Sequence, residues 1–198
     1  MAVERSRAAQ GAGTRSQLVA AGRRLFAERG FAGTSTEEIV LQAKVTRGAL
    51  YYHFRDKQDL FLAVFAEVED EVHQQVNAAA MAEGDAWSGV LAGCAAYLDA
   101  SLDPAVHRIA FVDAPAVLGW EQWQEVRSRH GFGLLAMGLD WAMTAGEIEE
   151  QPVRPLAHLL LGALQEGAMF IARAGDRVAA RDQVAAAVSR LLAGLRTA

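Results

Sequence analysis

The chain has 198 residues, of which 52% are hydrophobic, so it can bury a core as one large domain or two small cooperating ones. Its net charge of −5 argues against nucleic-acid binding, but residues 1–60 carry ten Lys and Arg against six acids and the remainder carries nine against eighteen. A basic segment joined to an acidic one is typical of DNA-binding proteins with strongly salt-dependent affinity.

The sequence points away from secreted, membrane-bound and catalytic classes of protein. Its single cysteine, Cys94, excludes an intramolecular disulfide and fits a reducing cytoplasm. We find no signal peptide and no apolar run of membrane-spanning length, and therefore expect a cytoplasmic protein with no membrane partner. The five His residues are scattered without a metal-binding or phosphate-binding motif, so we expect no enzyme, no cofactor and no metal site. A Ser-His-Asp triad depends on spatial geometry and stays open.

The predicted elements are all helical, and the first follows a polar N-terminal stretch. Residues 1–13 are rich in Ala and Gly and carry Arg, so we expect a flexible arm there. A first helix is predicted over about residues 14–28, and Gly30 ends it. Its apolar residues at helical spacing are Leu18, Ala21, Leu25 and Phe26.

A second, short helix is predicted from its start signal. Ser35 and Glu38 have capping-box spacing, and Thr34 and Glu37 offer the same spacing one residue earlier. Its inward residues are Ile39, Val40 and Ala43. A turn follows at Lys44-Val45, where a left-handed Lys44 would cost about 1 kcal/mol relative to Gly.

The third helix combines an apolar face with a small, aromatic and cationic face. Thr46 is placed to cap it, and Leu50 and Phe54 share the inward side. On the outer side Gly48 and Ala49 permit close approach to base edges. Hydrogen-bond donors able to reach phosphates or bases are carried by Arg47, Tyr51, Tyr52, His53 and, just beyond the helix, Lys57. Packing or solvation of the Tyr-Tyr-His run is the alternative interpretation.

These residues resemble the DNA-binding region of TetR-family (tetracycline-repressor-like) transcriptional regulators. The resemblance covers roughly residues 15–62, and Val40, Lys44 and Thr46 depart from the usual Ala, Gly and Ser. The matching positions are Gly30-Phe31, Thr34-Ser35, Ile39-Val40, Ala43 to Thr46, Gly48 to Phe54 and Lys57.

The resemblance implies an all-α homodimeric regulator of about nine helices. Residues 1–60 would form a three-helix helix-turn-helix DNA-binding domain, and residues 61–198 a helical ligand-binding and dimerisation domain. It implies a repressor that binds a palindromic double-stranded DNA operator and is released by a small molecule. An activator of the same fold, or a helical interaction protein that has lost DNA binding, are the alternatives. The DNA-contacting residues implied are Thr34, Thr46, Arg47, Gly48, Ala49, Tyr51, Tyr52, His53 and Lys57.

Six further helices are predicted from apolar periodicity and from Gly and Pro breaks. The first of these starts near Asp56-Lys57 and fades by Gly84, and the resemblance implies that its pivot links ligand binding to DNA. The others are predicted over residues 86–102, 104–118, 120–145, 153–174 and 178–196.

The second part of the chain is rich in large apolar side chains, and the irregular stretch Pro115–Gly119 marks a place where a helical body can open. A cavity lined by such groups with a few polar ones is the usual small-molecule site, so we expect a mostly apolar or aromatic effector. Simple core packing is the alternative for each residue. The predicted ligand-binding residues are Phe65, Cys94, Tyr97, Phe111, Trp120, Trp123, His130, Met137, Trp141 and Phe170. Further polar contacts are expected from Arg127, Gln165 and Glu166.

The last two helices carry small and branched apolar residues along their faces. Paired between two subunits, they would form a four-helix bundle, and packing within one chain is the alternative. The predicted interface residues are Leu156, Leu160, Gly162, Ala163, Leu164, Gly167, Val184, Ala187, Val188, Leu191, Leu192 and Leu195.

Overall fold

The structure, a computed structural model, describes the backbone of residues 2–196 and the side chains of residues 11–129 and 131–196. Ten α-helices and one π-helical segment account for nearly all of this range, close to the nine helices expected. Their bounds are α1 Ala2–Arg29, α2 Thr36–Ala43, α3 Arg47–His53, α4 Lys57–Met81, α5 Ala86–Ala100, α6 Pro104–Val106, the π segment His107–Asp113, α7 Ala114–Leu118, α8 Trp120–Thr144, α9 Val153–Arg173 and α10 Arg177–Ala193.

The N-terminal end of the chain departs from the expectation of a flexible arm over residues 1–13. Helix α1 already begins at Ala2, and Met1 lies outside the described residues. Ala, Arg, Glu and Gln dominate this stretch and are strong helix formers, so the first helix extends backwards through it despite Gly11 and Gly13.

Helices α1 to α3 pack with the first turns of α4 around an aromatic centre, and we call this unit the head. The ring of Phe26 lies 5.1 Å from that of Phe61 and 5.8 Å from that of Phe31, and Phe31 and Phe61 are 5.2 Å apart. Leu50 of α3 and Ile39 of α2 are fully buried against the same centre. The short helix α3 is therefore held by its apolar face.

The remaining helices form a body with its own core, centred on α5, α8, α9 and α10. Trp87, Leu98, Leu139 and Ile148 are among its buried residues. An isolated bridge between Ile148 and Arg196 fixes the end of the chain against the loop after α8. The predicted helices of the body agree with the observed bounds to within a few residues.

One body helix, α9, is long and apolar enough to cross a membrane by length and composition, which differs from the expectation of no apolar run of that length. In the fold it contributes to the core of the body. Its buried residues are Ala157, Leu161, Leu164, Gln165, Ala168, Met169 and Ile171.

Polar contacts among the described residues join the head to the body. Arg23 of α1 donates two hydrogen bonds to the carboxylate of Glu71 on α4, and this pairing raises the pKa of Arg23. The carboxylate of Asp113, at the end of the π segment, accepts a hydrogen bond from the Phe31 amide at 2.7 Å. Arg108 of the same segment lies 3.7 Å from Asp113 and donates to the Arg29 carbonyl at 3.4 Å. The π segment therefore satisfies backbone groups at the end of α1.

Candidate functional site

The two helices that carry most of the predicted DNA-contacting residues are positioned by their caps. Ser35 and Glu38 form the complete capping box of α2, with the Ser35 amide donating to Glu38 Oε2 at 2.9 Å. Thr46 caps α3 by accepting the Ala49 amide at 3.1 Å. Both caps confirm the sequence prediction, with Ser35 rather than Thr34 as the cap of α2.

The turn between these helices depends on Lys44. This residue has φ 56° and ψ 39°, the one left-handed non-glycine conformation among the described residues. Its amide donates to the Leu41 and Val40 carbonyls, so the left-handed turn closes α2 and sends the chain into α3. The predicted strain of about 1 kcal/mol is therefore present, and the exposed Lys44 side chain adds a cation beside the recognition helix.

The outer face of α3 is open to solvent. Thr46, Arg47, Gly48, Tyr51 and Tyr52 are exposed, and 84% of the Tyr52 surface is accessible. Two other predicted contact residues, Ala49 and His53, are partly buried. This face therefore presents a guanidinium and two phenolic hydroxyls beside a helix backbone of little bulk.

Nothing within the chain requires a glycine at position 48. A Cβ added there would meet only the Thr46 hydroxyl, at 3.9 Å, and the residue has ordinary helical geometry. Gly costs about 1 kcal/mol relative to Ala inside a helix. By lacking a side chain, Gly48 leaves the solvent-facing side of the α3 backbone uncovered.

Besides Arg47, α3 has two cationic neighbours, Arg15 and Arg55, which were not among the predicted contacts. Arg47 lies 3.5 Å from Glu37 and stacks 5.6 Å from the centre of the Tyr51 ring. Arg15 lies over the Phe54 ring at 5.3 Å, and the largely exposed Arg55 pairs with Asp59. A search for Lys and Arg flanking the helix, rather than on it alone, would have found them.

Two predicted DNA contacts have internal roles instead. Thr34 is buried, and its hydroxyl donates to the Gly30 carbonyl at 2.9 Å, so its side chain is not available at the surface and this prediction is wrong. The ammonium of Lys57 donates to the Phe31 and Thr34 carbonyls, each at 2.9 Å, and lies 4.1 Å from the Phe31 ring centre. Lys57 therefore primarily clamps the loop between α1 and α2.

The body contains a cavity of about 280 Å³ between α4, α5, α8 and α9, near the lower end of typical ligand-pocket sizes. Most of its lining is apolar. Met81, Met137 and Trp141 are exposed at one end, beside the carboxylates of Glu83 and Asp85. The Asp85 pKa is lowered, chiefly by the hydrogen bond from the Ser88 amide, which keeps this end acidic.

The predicted ligand-binding residues divide into two groups. Cys94, Tyr97, Met137 and Trp141 line the cavity. The others do not: Phe65, Phe111 and Trp123 are buried in the core shared with the head, Trp120 and Phe170 are exposed, and the His130 side chain lies outside the described ones. The π segment directs Phe111 towards that core, and the Trp123 indole donates to the Ala110 carbonyl at 2.8 Å, which fixes it away from the cavity.

The deeper end of the cavity is polar. His73, Arg127 and Gln165 are buried there beside the half-buried Tyr97. Arg127 donates to the Tyr97 hydroxyl, and its Nε lies 3.7 Å from Glu69. Burial raises the Tyr97 pKa to about 12 and the pKa of the neighbouring Cys94 thiol to about 12, so both stay protonated at neutral pH.

Comparison with known proteins identifies the family. A family model described as "Bacterial regulatory proteins, tetR family" matches residues 18–64, and one described as "Tetracyclin repressor-like, C-terminal domain" matches residues 87–195. The crystal structure of a TetR-family transcriptional regulator from Pectobacterium atrosepticum is 37% identical with a TM-score of 0.87, over 96% of this chain and 97% of that one.

This chain belongs to the TetR family.

Two other relatives are more distant or partial. The regulator AcrR from Shigella flexneri is 42% identical over 59 residues, which is 30% of this chain, and the chain spans about a quarter of AcrR's length (27%). RolR, whose crystal structure contains the ligand resorcinol, is 20% identical with a TM-score of 0.72, over 93% of this chain and 89% of RolR. The second likeness shows the TetR fold alone.

The predicted interface residues of this TetR-family chain also fall into two groups, those buried within the chain and those exposed on its surface. Leu164, Val188 and Leu192 are buried in the core of their own chain, and a Cβ on Gly167 would come within 2.7 Å of Val184, so these residues serve packing between α9 and α10. Exposed residues among those predicted are Gly162, Ala163, Ala187 and Leu191. Leu159 and Phe170 extend the exposed apolar stripe of α9 and were not among the predicted interface residues.

Proposed function

We propose that this chain is a repressor that binds a palindromic operator as a homodimer and releases it when a small molecule occupies the body cavity. Family membership supports a DNA-binding transcriptional regulator. The observation that carries the proposal is the open outer face of α3, where Gly48 leaves the backbone uncovered between Arg47 and the two tyrosines.

The proposed division of labour follows the fold. Residues 1–60 form the DNA-binding domain, with Arg47 and Gly48 nearest the bases and Tyr51, Tyr52 and His53 towards the phosphates. Residues 61–198 bind the ligand and dimerise. We place the protein in the cytoplasm, where its operator is.

The cavity supports the ligand-responsive part of the proposal. Its apolar lining suits a small, largely apolar or aromatic effector, and the resorcinol bound to RolR is such a molecule. Helix α4 supplies His73, Asn77 and Met81 to the cavity wall, and on the same helix Glu71 holds Arg23 of the head. A ligand that displaces α4 therefore moves the head, and both heads of a dimer must fit their half-sites together.

The exposed apolar stripe of α9 supports the homodimer. Leu159 is 74% exposed and Phe170 55% exposed, with the small residue Ala163 between them and Leu191 exposed on α10. A second copy would bury this stripe in a four-helix arrangement. Light scattering at micromolar concentration should give the mass of a dimer for the wild type and of a monomer for Phe170→Asp. A monomeric wild type would contradict the proposal.

The first experiment is selection of random duplex DNA by the purified protein, followed by sequencing. Enrichment of a palindrome is expected, and the enriched sequence becomes the probe for affinity measurements at several salt concentrations. Arg47→Ala should weaken binding about tenfold or more and, because it removes one cation from the interface, reduce the magnitude of the salt slope by up to about 0.9.

Arg129→Ala is the matched control. Arg129 is 64% exposed and pairs with Glu125, much as Arg47 is 68% exposed and pairs with Glu37, but Arg129 lies on the body. The control should leave both affinity and salt slope unchanged. Equal effects of the two substitutions, or no enriched palindrome from folded protein, would overturn the assignment of α3 as the DNA-reading helix.

A further inference from the structure

The polar end of the cavity contains hydrogen-bond donors that the chain itself does not use. Within the described residues, Nη1 of Arg127 and Nε2 of Gln165 are buried without a hydrogen-bond partner, whereas Nε of Arg127 faces the Glu69 carboxylate at 3.7 Å. Both side chains are more than nine-tenths buried and both line the cavity. Buried polar groups are almost always hydrogen-bonded, so unused donors at a cavity wall indicate an acceptor supplied from outside the chain.

Arg127 is held in place by groups that leave these donors free. Its guanidinium lies 4.6 Å from the centre of the Phe111 ring and 4.7 Å from that of Trp123, and it donates to the Tyr97 hydroxyl through Nη2. These aromatic contacts fix the plane of the guanidinium without satisfying its remaining N–H groups. The side chain is therefore pre-organised to bind an oxygen atom.

The surrounding charges decide what kind of oxygen fits. The Arg127 cation faces the buried Glu69 carboxylate at 3.7 Å, so the pair is already close to neutral. A ligand carboxylate would leave a net negative charge in the interior, which is costly. At the exposed end, Glu83 and Asp85 would also repel an anion on its way in.

We propose that the cavity selects an uncharged, mostly apolar molecule with one oxygen acceptor, a carbonyl or phenolic oxygen, and that Arg127 and Gln165 bind that oxygen. The apolar part of the molecule lies along Cys94, Leu134 and Met137 towards Trp141. This inference rests on the proposed function, in which the cavity takes the effector, and it adds the chemical class and the two residues that determine specificity.

The test uses three probes with one skeleton: 2-acetylnaphthalene, 2-ethylnaphthalene and 2-naphthoate. Isothermal titration calorimetry with the full-length protein should give about tenfold tighter binding of the ketone than of the hydrocarbon, the effect of one buried hydrogen bond. The carboxylate should bind more weakly than the ketone. Equal binding of ketone and hydrocarbon, or tightest binding of the carboxylate, would overturn the inference.

Variants assign the preference to the two residues. Gln165→Met removes the unused donor, and the double variant E69Q/R127M removes the guanidinium while keeping the buried pair uncharged. Each should reduce the preference for the ketone to less than about threefold. Leu161→Met is the control, because Leu161 lies one turn before Gln165 on α9 and also lines the cavity. This variant should keep the preference for the ketone. An unchanged preference in both test variants contradicts the assignment.

Operator binding measured on the same samples separates this inference from the proposed function. If the protein binds the operator but none of the three probes, the proposed ligand class and the proposed role of the cavity are both contradicted, while the proposed DNA-binding role is supported. If the ketone preference holds but no operator is bound, the inference stands and the repressor proposal falls.

Discussion

The head and the body treat their buried polar groups differently. In the head, the Thr34 hydroxyl, the Lys57 ammonium and the caps Ser35 and Thr46 all have partners within the chain. In the body, His107, Arg127, Gln165 and Arg177 each keep a buried nitrogen without a hydrogen-bond partner, and among the described residues these are the side chains of that kind.

This difference corresponds to where each region carries its function. A head that must present α3 in one geometry gains from satisfying every internal group, because its work is done by exposed side chains. A body that must receive a ligand keeps open volume and unused donors, because its work is done inside. The stability of the chain is therefore expected to reside more in the head core than in the cavity wall.

The largest expected effect contrasts the two regions directly. Phe26→Ala removes a fully buried ring from the aromatic centre of the head and should lower the free energy of unfolding by about 3–5 kcal/mol. Met137→Ala, at the partly exposed end of the cavity, should lower it by less than about 1 kcal/mol. Urea unfolding followed by circular dichroism at one protein concentration measures both, and similar losses would break the contrast.

The next effect compares the same new side chain in both regions. Lys57→Met removes an ammonium that donates to two carbonyls at 2.9 Å, and should cost about 1–3 kcal/mol of folding stability. Gln165→Met removes a buried nitrogen that has no partner in the described structure, and should cost nothing or stabilise the fold. A larger loss for Gln165→Met in the same unfolding assay would mean that the body, too, uses its polar groups internally.

A smaller effect tests the one strained residue of the head. Lys44→Gly relieves the left-handed conformation at φ 56°, and should raise the free energy of unfolding by about 1 kcal/mol. The gain would appear as a higher urea midpoint without a change in slope. A lower midpoint would show that the Lys44 side chain contributes packing that outweighs the strain.

The smallest effect concerns pH and the body. Burial, followed by the charges of Arg177 and Arg108, lowers the pKa of His107 from its ordinary 6.5. The unfolded chain then binds a proton more readily, so His107 lowers stability as pH falls through 6.5 and stops mattering above it. Between pH 7.5 and pH 5, His107→Gln should lose less unfolding free energy than the wild type, as measured by urea unfolding. Identical pH profiles of the two proteins would rule out a contribution of His107.

Local features of the sequence predicted the head well. The capping box of Ser35, the cap at Thr46 and the left-handed Lys44 each depend on a few neighbouring residues, so the sequence alone specifies them. The internal contacts of Thr34 and Lys57 were not predicted because their partners, the carbonyls of Gly30 and Phe31, are backbone groups whose direction depends on how α1 ends.

The cavity was harder to predict because it depends on how four helices meet. Apolar periodicity located the helices, but it gives the same signal for a residue in the core, such as Phe65, and for one at a cavity wall, such as Cys94. A weak signal was present in α8, where Gly131 and Gly138 lie one heptad apart. A Cβ on Gly131 would approach His73 at 3.2 Å, and one on Gly138 would approach Val90 at 3.0 Å, so these glycines set the close approach of the walls.

The lone thiol of Cys94 makes opening of the body measurable as a rate of chemical modification. It is buried at the cavity wall with its pKa raised to about 12, so at neutral pH the protonated thiol reacts slowly with an alkylating reagent and faster when the cavity opens wider. Because the sequence contains no second cysteine, the modification rate follows this opening alone, even while the head is bound to DNA. A ligand that fills the cavity should slow the rate, and a mutation that loosens the body should quicken it.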